Sequence, residues 1–216
     1  MKSQEITIPK LFILTVVPSA ISTALYIAVG MVWQSVPSIT LFFILSTLTL
    51  FIFEISVILL ANKRKYGNIG LKIAFSKYKK MDWWKILLYG FVLFGFAGLM
   101  SITIGPLEDM VFSKISARLY MTLPAYFNWN NLELMKLYPK NILVFTAVFY
   151  IIMNVLILPI IEEIYFRGYL TGEMKNYGAA APIWVSVAFS FYHWWLPFNN
   201  IFRICIFSIA SIIAYK

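Results

Sequence analysis

The amino-acid sequence predicts an all-α membrane protein, a polytopic transmembrane helix bundle of about six segments that forms one domain over residues 1–216. Hydrophobic residues make up 61% of the chain and charged residues only 12%, whereas a soluble domain is about half apolar and about a quarter charged. The mean hydropathy is +0.81. Several apolar runs reach the roughly 20 residues that a helix needs to cross a bilayer core of about 30 Å. The composition therefore excludes a soluble globular protein.

The apolar runs place the membrane segments in order along the chain. The first run is too long for a cleavable signal peptide and is followed by further runs, so we interpret it as a retained helix. Arg203 lies near the start of the last segment and leaves only Ile204–Tyr215 apolar, which is short for a crossing. Over Met110–Met121, apolar residues at three- and four-residue spacing predict an additional interfacial amphipathic helix. The predicted segments are Leu11–Trp33, Ile39–Ala61, Trp84–Ile104, Asn141–Ile161, Ala179–Leu196 and Ile201–Tyr215.

The distribution of the basic residues predicts the topology. The net charge of +9 does not point to a nucleic-acid partner, because many of the basic residues lie in one short loop between the second and third segments. A short basic loop marks the cytoplasmic side and can also contact anionic lipid headgroups. We therefore expect a multi-pass protein of the cell membrane with its amino terminus, and the inner end of the fourth segment, on the cytoplasmic side. The loop residues are Lys63, Arg64, Lys65, Lys72, Lys77, Lys79, Lys80 and Lys85.

Two adjacent glutamates at the end of the fourth segment are the first candidate site residues. Ionisable groups at membrane depth are costly and therefore indicate function. Glu163 and Arg167 are four residues apart, so they share a helix face and can form an ion pair. Glu162 is rotated by about 100° from Glu163 and points elsewhere, as a general base for water activation would. The alternative is a solvated charge cluster at a helix end.

The only histidine of the chain, His193, lies in the next apolar segment. Phe189 is four residues earlier and shares its helix face. An imidazole opposite Glu162 can orient or deprotonate a water, stabilise an oxyanion or bind a metal ion; the alternative is a histidine that only makes structural hydrogen bonds. Glu54, within the second segment, has no partner nearby in sequence, so we interpret it as non-catalytic.

These residues carry a resemblance to a known family. Glu162-Glu163-Ile-Tyr-Phe-Arg167 and Phe189-Ser-Phe-Tyr-His193 resemble the EExxxR and FxxxH signatures of the CPBP intramembrane proteases. That family includes the type II CAAX prenyl endopeptidases and the Abi proteins, some of them linked to bacteriocin immunity. The resemblance is specific over Pro159–His193 and places the family-like core at about residues 141–216.

The resemblance implies a role for each motif residue. Glu162 and His193 would activate the hydrolytic water, Glu163 and Arg167 would form a supporting pair, and Phe189 would pack against the site. The family is often described as metal-dependent, so a divalent metal such as zinc stays open as a cofactor, with Glu162, Glu163 and His193 as the available ligands. One histidine and two glutamates are few for zinc, which takes three protein ligands and an open position. The spacing does not match HExxH.

The family also has a third signature on a later helix, a second histidine followed by asparagine or aspartate. The chain has one histidine and 216 residues, so we expect a sequence shortened before that motif, either a fragment or an inactive natural relative.

Three functions follow from these observations. The first is an intramembrane endopeptidase acting on a membrane-associated peptide or a prenylated, CAAX-type protein. The second is a non-catalytic bacteriocin-immunity or partner-binding membrane protein on the same scaffold. The third is a transporter or channel with glutamates along an ion path, which we rank lowest because the sequence has no repeated half.

Overall fold

The computed structural model describes residues 5–76, 81–129, 131–193 and 201–215 and is helical through most of them. Short 3₁₀ turns at Ala125–Phe127 and Lys175–Ala180 complete the secondary structure of this part. The all-α bundle predicted from composition is confirmed. The helices are α1 (Ile8–Val32), α2 (Ser38–Tyr66), α3 (Lys72–Phe75), α4 (Trp83–Thr103), α5 (Gly105–Thr122), α6 (Leu132–Met135), α7 (Lys140–Glu173), α8 (Ala181–Tyr192) and α9 (Ile201–Tyr215).

Local sequence explains where the long helices begin and end. Pro37 precedes α2 and Pro139 precedes α7, and neither proline offers an N–H that a preceding turn would need. Helix α2 ends at Tyr66 and is followed by Gly67, whose φ of 79° lies in the left-handed region that favours glycine. Its last turn is basic, which complements the negative end of the helix dipole.

Helix α7 carries the candidate carboxylates and is not a regular α-helix. It widens into π-helical turns at Ile151–Ile157 and Glu163–Leu170. Pro159 follows the first wide stretch, and since a proline ring clashes with the carbonyl four residues earlier, local widening lets the helix continue past it. Glu162 lies 11 residues before the helix end at Glu173, about 16 Å along the axis at 1.5 Å per residue.

The helices pack so that α8 lies against α1 and α7 lies against α2. Helix α8 contacts α1 and α9, the wide turn of α7 contacts α3, and α9 reaches α4 and α5. One hydrophobic cluster surrounds the second half of α7 and includes the fully buried side chains of Tyr165, Phe166 and Leu170. Helix α4 buries none of its residues, as expected of a helix that presents its surface to lipid.

The predicted segments correspond to helices, with different lengths in two places. Four helices of the described part, α1, α2, α4 and α7, are long and apolar enough to cross a membrane; α8 and α9 are shorter, with 12 and 15 residues. The fourth segment was predicted to end at Ile161 but continues to Glu173, so the glutamates lie inside the helix and not at its end. The helix predicted over Met110–Met121 is present as α5 and begins five residues earlier than expected; its interfacial position stays a prediction.

Some sequence predictions concern residues that the structure does not describe. Leu196, the expected end of the fifth segment, lies outside the described residues, as do Lys77, Lys79 and Lys80 of the basic loop.

Candidate active site

Glu162 on α7 and His193 at the end of α8 face each other. Glu162 Oε1 lies 3.8 Å from His193 Nε2, and their side chains are 20% and 17% exposed. This separation exceeds a direct hydrogen bond and is of the kind that a single water molecule bridges. The structure therefore brings together the two residues for which the sequence predicts water activation.

The orientation of the imidazole is set by the end of α8. His193 Nδ1 lies 2.9 Å from the carbonyl oxygen of Phe189. Since a carbonyl oxygen only accepts, Nδ1 carries the hydrogen and donates it, which leaves Nε2 of a neutral imidazole as the acceptor directed at Glu162. The backbone N–H of His193 donates to the Ser190 carbonyl at 3.1 Å. His193 thus satisfies two carbonyls that the helix end would otherwise leave unpaired.

Glu163 and Arg167 form the ion pair that their spacing predicts. Arg167 Nη1 lies 3.3 Å from Glu163 Oε1. The two side chains differ in environment, because that of Arg167 is only 2% exposed and that of Glu163 is 49% exposed. The pair therefore holds a buried guanidinium next to the site, while the carboxylate that neutralises it reaches outward.

Arg167 also connects α7 with two other helices. Its Nη2 donates a 3.3 Å hydrogen bond to the hydroxyl of Ser208 on α9. The guanidinium carbon lies 4.4 Å from the centre of the Phe189 ring on α8, within cation–π range. The sequence motif links α7 and α8; the contribution of α9 through Ser208 was missed because no spacing rule connects residues 41 positions apart.

Phe189 packs between the motif residues, as its predicted supporting role requires. Its ring centre lies 4.5 Å from that of His193 and 4.6 Å from that of Phe166, both at steep interplanar angles. Edge-to-face contacts of this kind are favourable beyond their buried area. Phe189 therefore restricts both the imidazole and the guanidinium.

Gly168 allows α3 to approach the wide turn of α7. A Cβ atom placed on Gly168 would lie 2.9 Å from the carbonyl oxygen of Ala74 and 3.2 Å from its Cβ. Any side chain would therefore push α3 away. The sequence shows the glycine after Arg167, but only the structure identifies the neighbour that requires it.

Glu54 is closer to the site than its sequence surroundings suggest. It lies in α2 with 2% exposure, and its carboxylate interacts electrostatically with Glu162 and Tyr192. The groups that interact with Glu54 are distant in sequence, so its non-catalytic interpretation stays a prediction. Tyr192, adjacent to His193 in sequence, is a residue of the site that sequence reasoning did not select.

The donors at the site do not make up a three-ligand metal centre. Among the described residues, no group of three histidine, cysteine, aspartate or glutamate side chains has a geometry that could hold a metal ion. Glu163 is engaged by Arg167, which leaves Glu162 and His193 facing each other. Zinc in a catalytic site takes three protein ligands, so these residues do not fit it and we derive no step through a metal. The use of a divalent metal stays a prediction from the family resemblance.

Comparison with known proteins bears on this part of the chain. Residues 144–216 match a protein family described as type II CAAX prenyl endopeptidase Rce1-like. Residues 144–216 are Rce1-like. The family predicted from the two motifs is thereby confirmed. Neither the curated proteins nor the solved structures give a match.

The Rce1-like segment contains all five motif residues, from Glu162 to His193, together with Ser208. Glu54 and Ala74 lie outside the matched range and reach the site only through folding. The Rce1-like family is a protease family and does not favour the non-catalytic alternative.

Proposed function

We propose that the protein is an intramembrane endopeptidase that hydrolyses a peptide bond of a membrane-associated or prenylated, CAAX-type substrate. The observation that carries the proposal is the 3.8 Å approach of Glu162 Oε1 and His193 Nε2 within the Rce1-like segment. A carboxylate and an imidazole at this distance are suited to general acid–base chemistry on one water molecule. The Rce1-like family supports the peptidase class, and the remaining detail is our inference.

Glu162 and His193 can both accept a hydrogen bond from a water molecule placed between them. The water donates one hydrogen to Glu162 and the other to Nε2 of His193, so an oxygen lone pair is left for the substrate. Glu162 takes a proton as the water oxygen bonds to the scissile carbonyl carbon. The tetrahedral intermediate then collapses, the C–N bond breaks, and Glu162 returns the proton to the leaving amine. Protons and electron pairs balance without a further reactant.

Glu163, Arg167 and Phe189 act as supporting residues in this proposal. The buried guanidinium contacts Glu163 at 3.3 Å and the Phe189 ring at 4.4 Å. These contacts connect the turn that carries Glu162 with the helix end that carries His193. A catalytic pair held from both sides keeps its geometry with less reorganisation during the reaction.

The depth of the site supports a substrate that enters from the membrane. Glu162 is about 16 Å from the end of α7 by helical rise, which is roughly half of a 30 Å hydrocarbon core. The end of α7 lies beside the basic end of α2, since Glu173 Oε1 forms a 2.7 Å ion pair with Lys65 Nζ. By the charge rule, that side is the cytoplasmic one. We therefore propose that substrate reaches the site from the cytoplasmic half of the cell membrane.

The experiment compares Glu162→Gln with the wild-type full-length protein in membranes. The reporter substrates are a farnesylated peptide with a CAAX-type terminus and the same peptide without its lipid. Loss of a general base should lower the cleavage rate by about 10²–10⁴-fold. Glu133→Gln is the matched control, because Glu133 is exposed and paired only with Lys136 at a helix surface.

Two results decide the proposal. Cleavage by Glu162→Gln at the wild-type rate would refute it. Preference for the farnesylated peptide assigns the prenylated substrate class, whereas equal cleavage of both peptides removes the prenyl group from the proposal and retains the peptidase.

A further inference from the structure

Ser208 is a buried serine of α9 that contacts the arginine of the site. Arg167 Nη2 donates a hydrogen bond of 3.3 Å to the Ser208 hydroxyl, while Nη1 of the same guanidinium lies 3.3 Å from Glu163 Oε1. The side chain of Arg167 is 2% exposed and Ser208 is fully buried, so bulk water does not compete for this contact. The two terminal nitrogens of the guanidinium are therefore held from two different helices.

The orientation of this guanidinium bears on the imidazole through Phe189. The guanidinium carbon lies 4.4 Å from the centre of the Phe189 ring, and that ring centre lies 4.5 Å from the centre of the His193 ring. An ion pair with Glu163 alone would let the planar guanidinium rotate about the line that joins the two charges, whereas a second hydrogen bond at Nη2 fixes its plane. Ser208 therefore sets the surface against which Phe189 and the imidazole pack.

Helix α9 places Ser208 at a fixed point of the bundle, because its first turn is tied to two other helices. Glu108 on α5 accepts a hydrogen bond of 2.9 Å from the backbone N–H of Arg203. The hydroxyl of Ser190 on α8 donates to the carbonyl oxygen of Ile201, and α8 and α9 pack against each other. Ser208 follows Ile201 by about two helical turns, so the two residues share a face of α9. The serine is therefore presented to α7 by a helix with little freedom to shift.

Ser211, on the same helix, shows the ordinary behaviour of a buried serine. Its hydroxyl donates to the Phe207 carbonyl at 2.9 Å, which is the usual local hydrogen bond of a serine within a helix. Close packing of membrane helices requires only a small side chain, and alanine would meet that requirement at either position. Ser208 differs because its oxygen accepts from a charged donor on another helix, and hydrogen bonds to charged groups are the costly ones to lose.

We propose that Ser208 is a positioning residue of the candidate active site, acting through Arg167 and Phe189 on the imidazole. The inference rests on the proposed peptidase function and deepens it. Without the hydroxyl, the guanidinium can turn within its ion pair and the Phe189 ring follows it. Nε2 of His193 then loses its fixed distance to Glu162, and a water molecule between them is no longer held in one geometry.

The chain contains a single histidine, so the test can follow one imidazole in the full-length protein. Isotope labelling of histidine nitrogen, with an affinity tag that lacks histidine, gives one NMR signal for each ring nitrogen of His193 in detergent micelles. Ser208→Ala should shift or broaden the Nε2 signal, because the imidazole is no longer held in one orientation. Ser211→Ala is the matched control and should leave both signals unchanged, since it removes a hydroxyl from the same helix without altering the contacts of the guanidinium.

Cleavage kinetics of the same variants measure the consequence for hydrolysis. Ser208→Ala should lower kcat about tenfold, the effect of one hydrogen bond to a charged group, with KM within about twofold of the wild type. Ser208→Thr keeps the hydroxyl and should retain kcat within about threefold, even though its extra methyl group lowers the unfolding midpoint. Ser211→Ala should keep the wild-type kcat. All rates are measured well below the unfolding midpoint of every variant.

Wild-type kcat in Ser208→Ala would overturn the inference, as would imidazole signals identical to those of the wild type. An equal loss of kcat in Ser208→Ala and Ser211→Ala, or a rise in KM at constant kcat, would do the same. The failure of this inference is distinguishable from that of the proposed function. An inactive Glu162→Gln together with a fully active Ser208→Ala overturns only the role of Ser208, whereas a fully active Glu162→Gln overturns the peptidase mechanism itself.

Discussion

The contact between Gly168 and Ala74 gives the sharpest prediction of stability. Replacing Gly168 by alanine places a Cβ 2.9 Å from a backbone oxygen and 3.2 Å from a methyl group of Ala74. Both distances are shorter than ordinary contacts of about 3.5–4.0 Å between carbon atoms, and the nearer atom belongs to the backbone. Since Ala74 is buried in α3, the strain must be relieved by moving α3 relative to α7 by several tenths of an ångström.

The expected cost follows from two opposing terms. Forcing one extra methyl group into a packed interior costs about 1–3 kcal/mol. Alanine in place of glycine within a helix contributes about 0.5–1 kcal/mol in the opposite direction. The net result is a destabilisation of about 1 kcal/mol, which lowers the unfolding midpoint by about 2–4 °C for a chain of this size.

Gly172, on the same helix, is the control for this prediction. A Cβ there meets no atom within 4 Å, so Gly172→Ala should retain only the favourable helix term of about 0.5–1 kcal/mol. Thermal unfolding of both variants in the same detergent separates the two terms. If Gly168→Ala is as stable as Gly172→Ala, the close packing of α3 on α7 is not what requires the glycine.

Three further predictions concern other parts of the molecule. Glu108 is fully buried, accepts hydrogen bonds from the first backbone N–H groups of α9 and pairs with Arg203. Glu108→Ala should therefore speed amide hydrogen exchange in α9, and Glu108→Gln should give exchange rates closer to those of the wild type. Burial raises the pKa of the Tyr126 phenol above its ordinary 10.0. The phenol therefore ionises first in the unfolded chain, so the free energy of unfolding should fall as the pH rises above 10. Thermal unfolding midpoints at pH 9 and 11 measure this fall, which should be smaller in Tyr126→Phe. Arg167→Ala should cost about 2–4 kcal/mol in packing and lower the unfolding midpoint more than Glu163→Ala, since the guanidinium is the buried partner; equal midpoints would contradict this order.

The fold class could be predicted from composition because a bilayer imposes a simple length and polarity requirement on a helix. The extent of α7 could not be predicted in this way, because its apolar stretch ends before the helix ends. Beyond Ile161 the helix continues with charged and aromatic residues. Residues 165–170 are buried there, because this part of α7 packs against α2, α3 and α8. Hydropathy reports contact with lipid and does not report burial in protein.

The candidate site was predictable as far as its residues lie within one or two helical turns of each other. The Glu163–Arg167 pair and the Phe189–His193 contact follow from four-residue spacing and are both present. The placement of Glu54 near Glu162 required the packing of α2 against α7, which no local pattern encodes. A signal for the buried face of α1 was nevertheless available, since its small polar side chains recur at helical spacing and are buried in the structure, as at Thr15, Ser19 and Ser22.

The hydrogen bond between the His193 imidazole and the Phe189 carbonyl couples the position of the imidazole ring to the end of α8. A change in hydrocarbon thickness that tilts α8 or unwinds its last turn would therefore displace Nε2 from Glu162. Lipid composition should therefore change the rate of peptide hydrolysis although no lipid contacts the reacting atoms. Reconstitution in short-chain and in long-chain phosphatidylcholine should accordingly give different turnover of the same peptide.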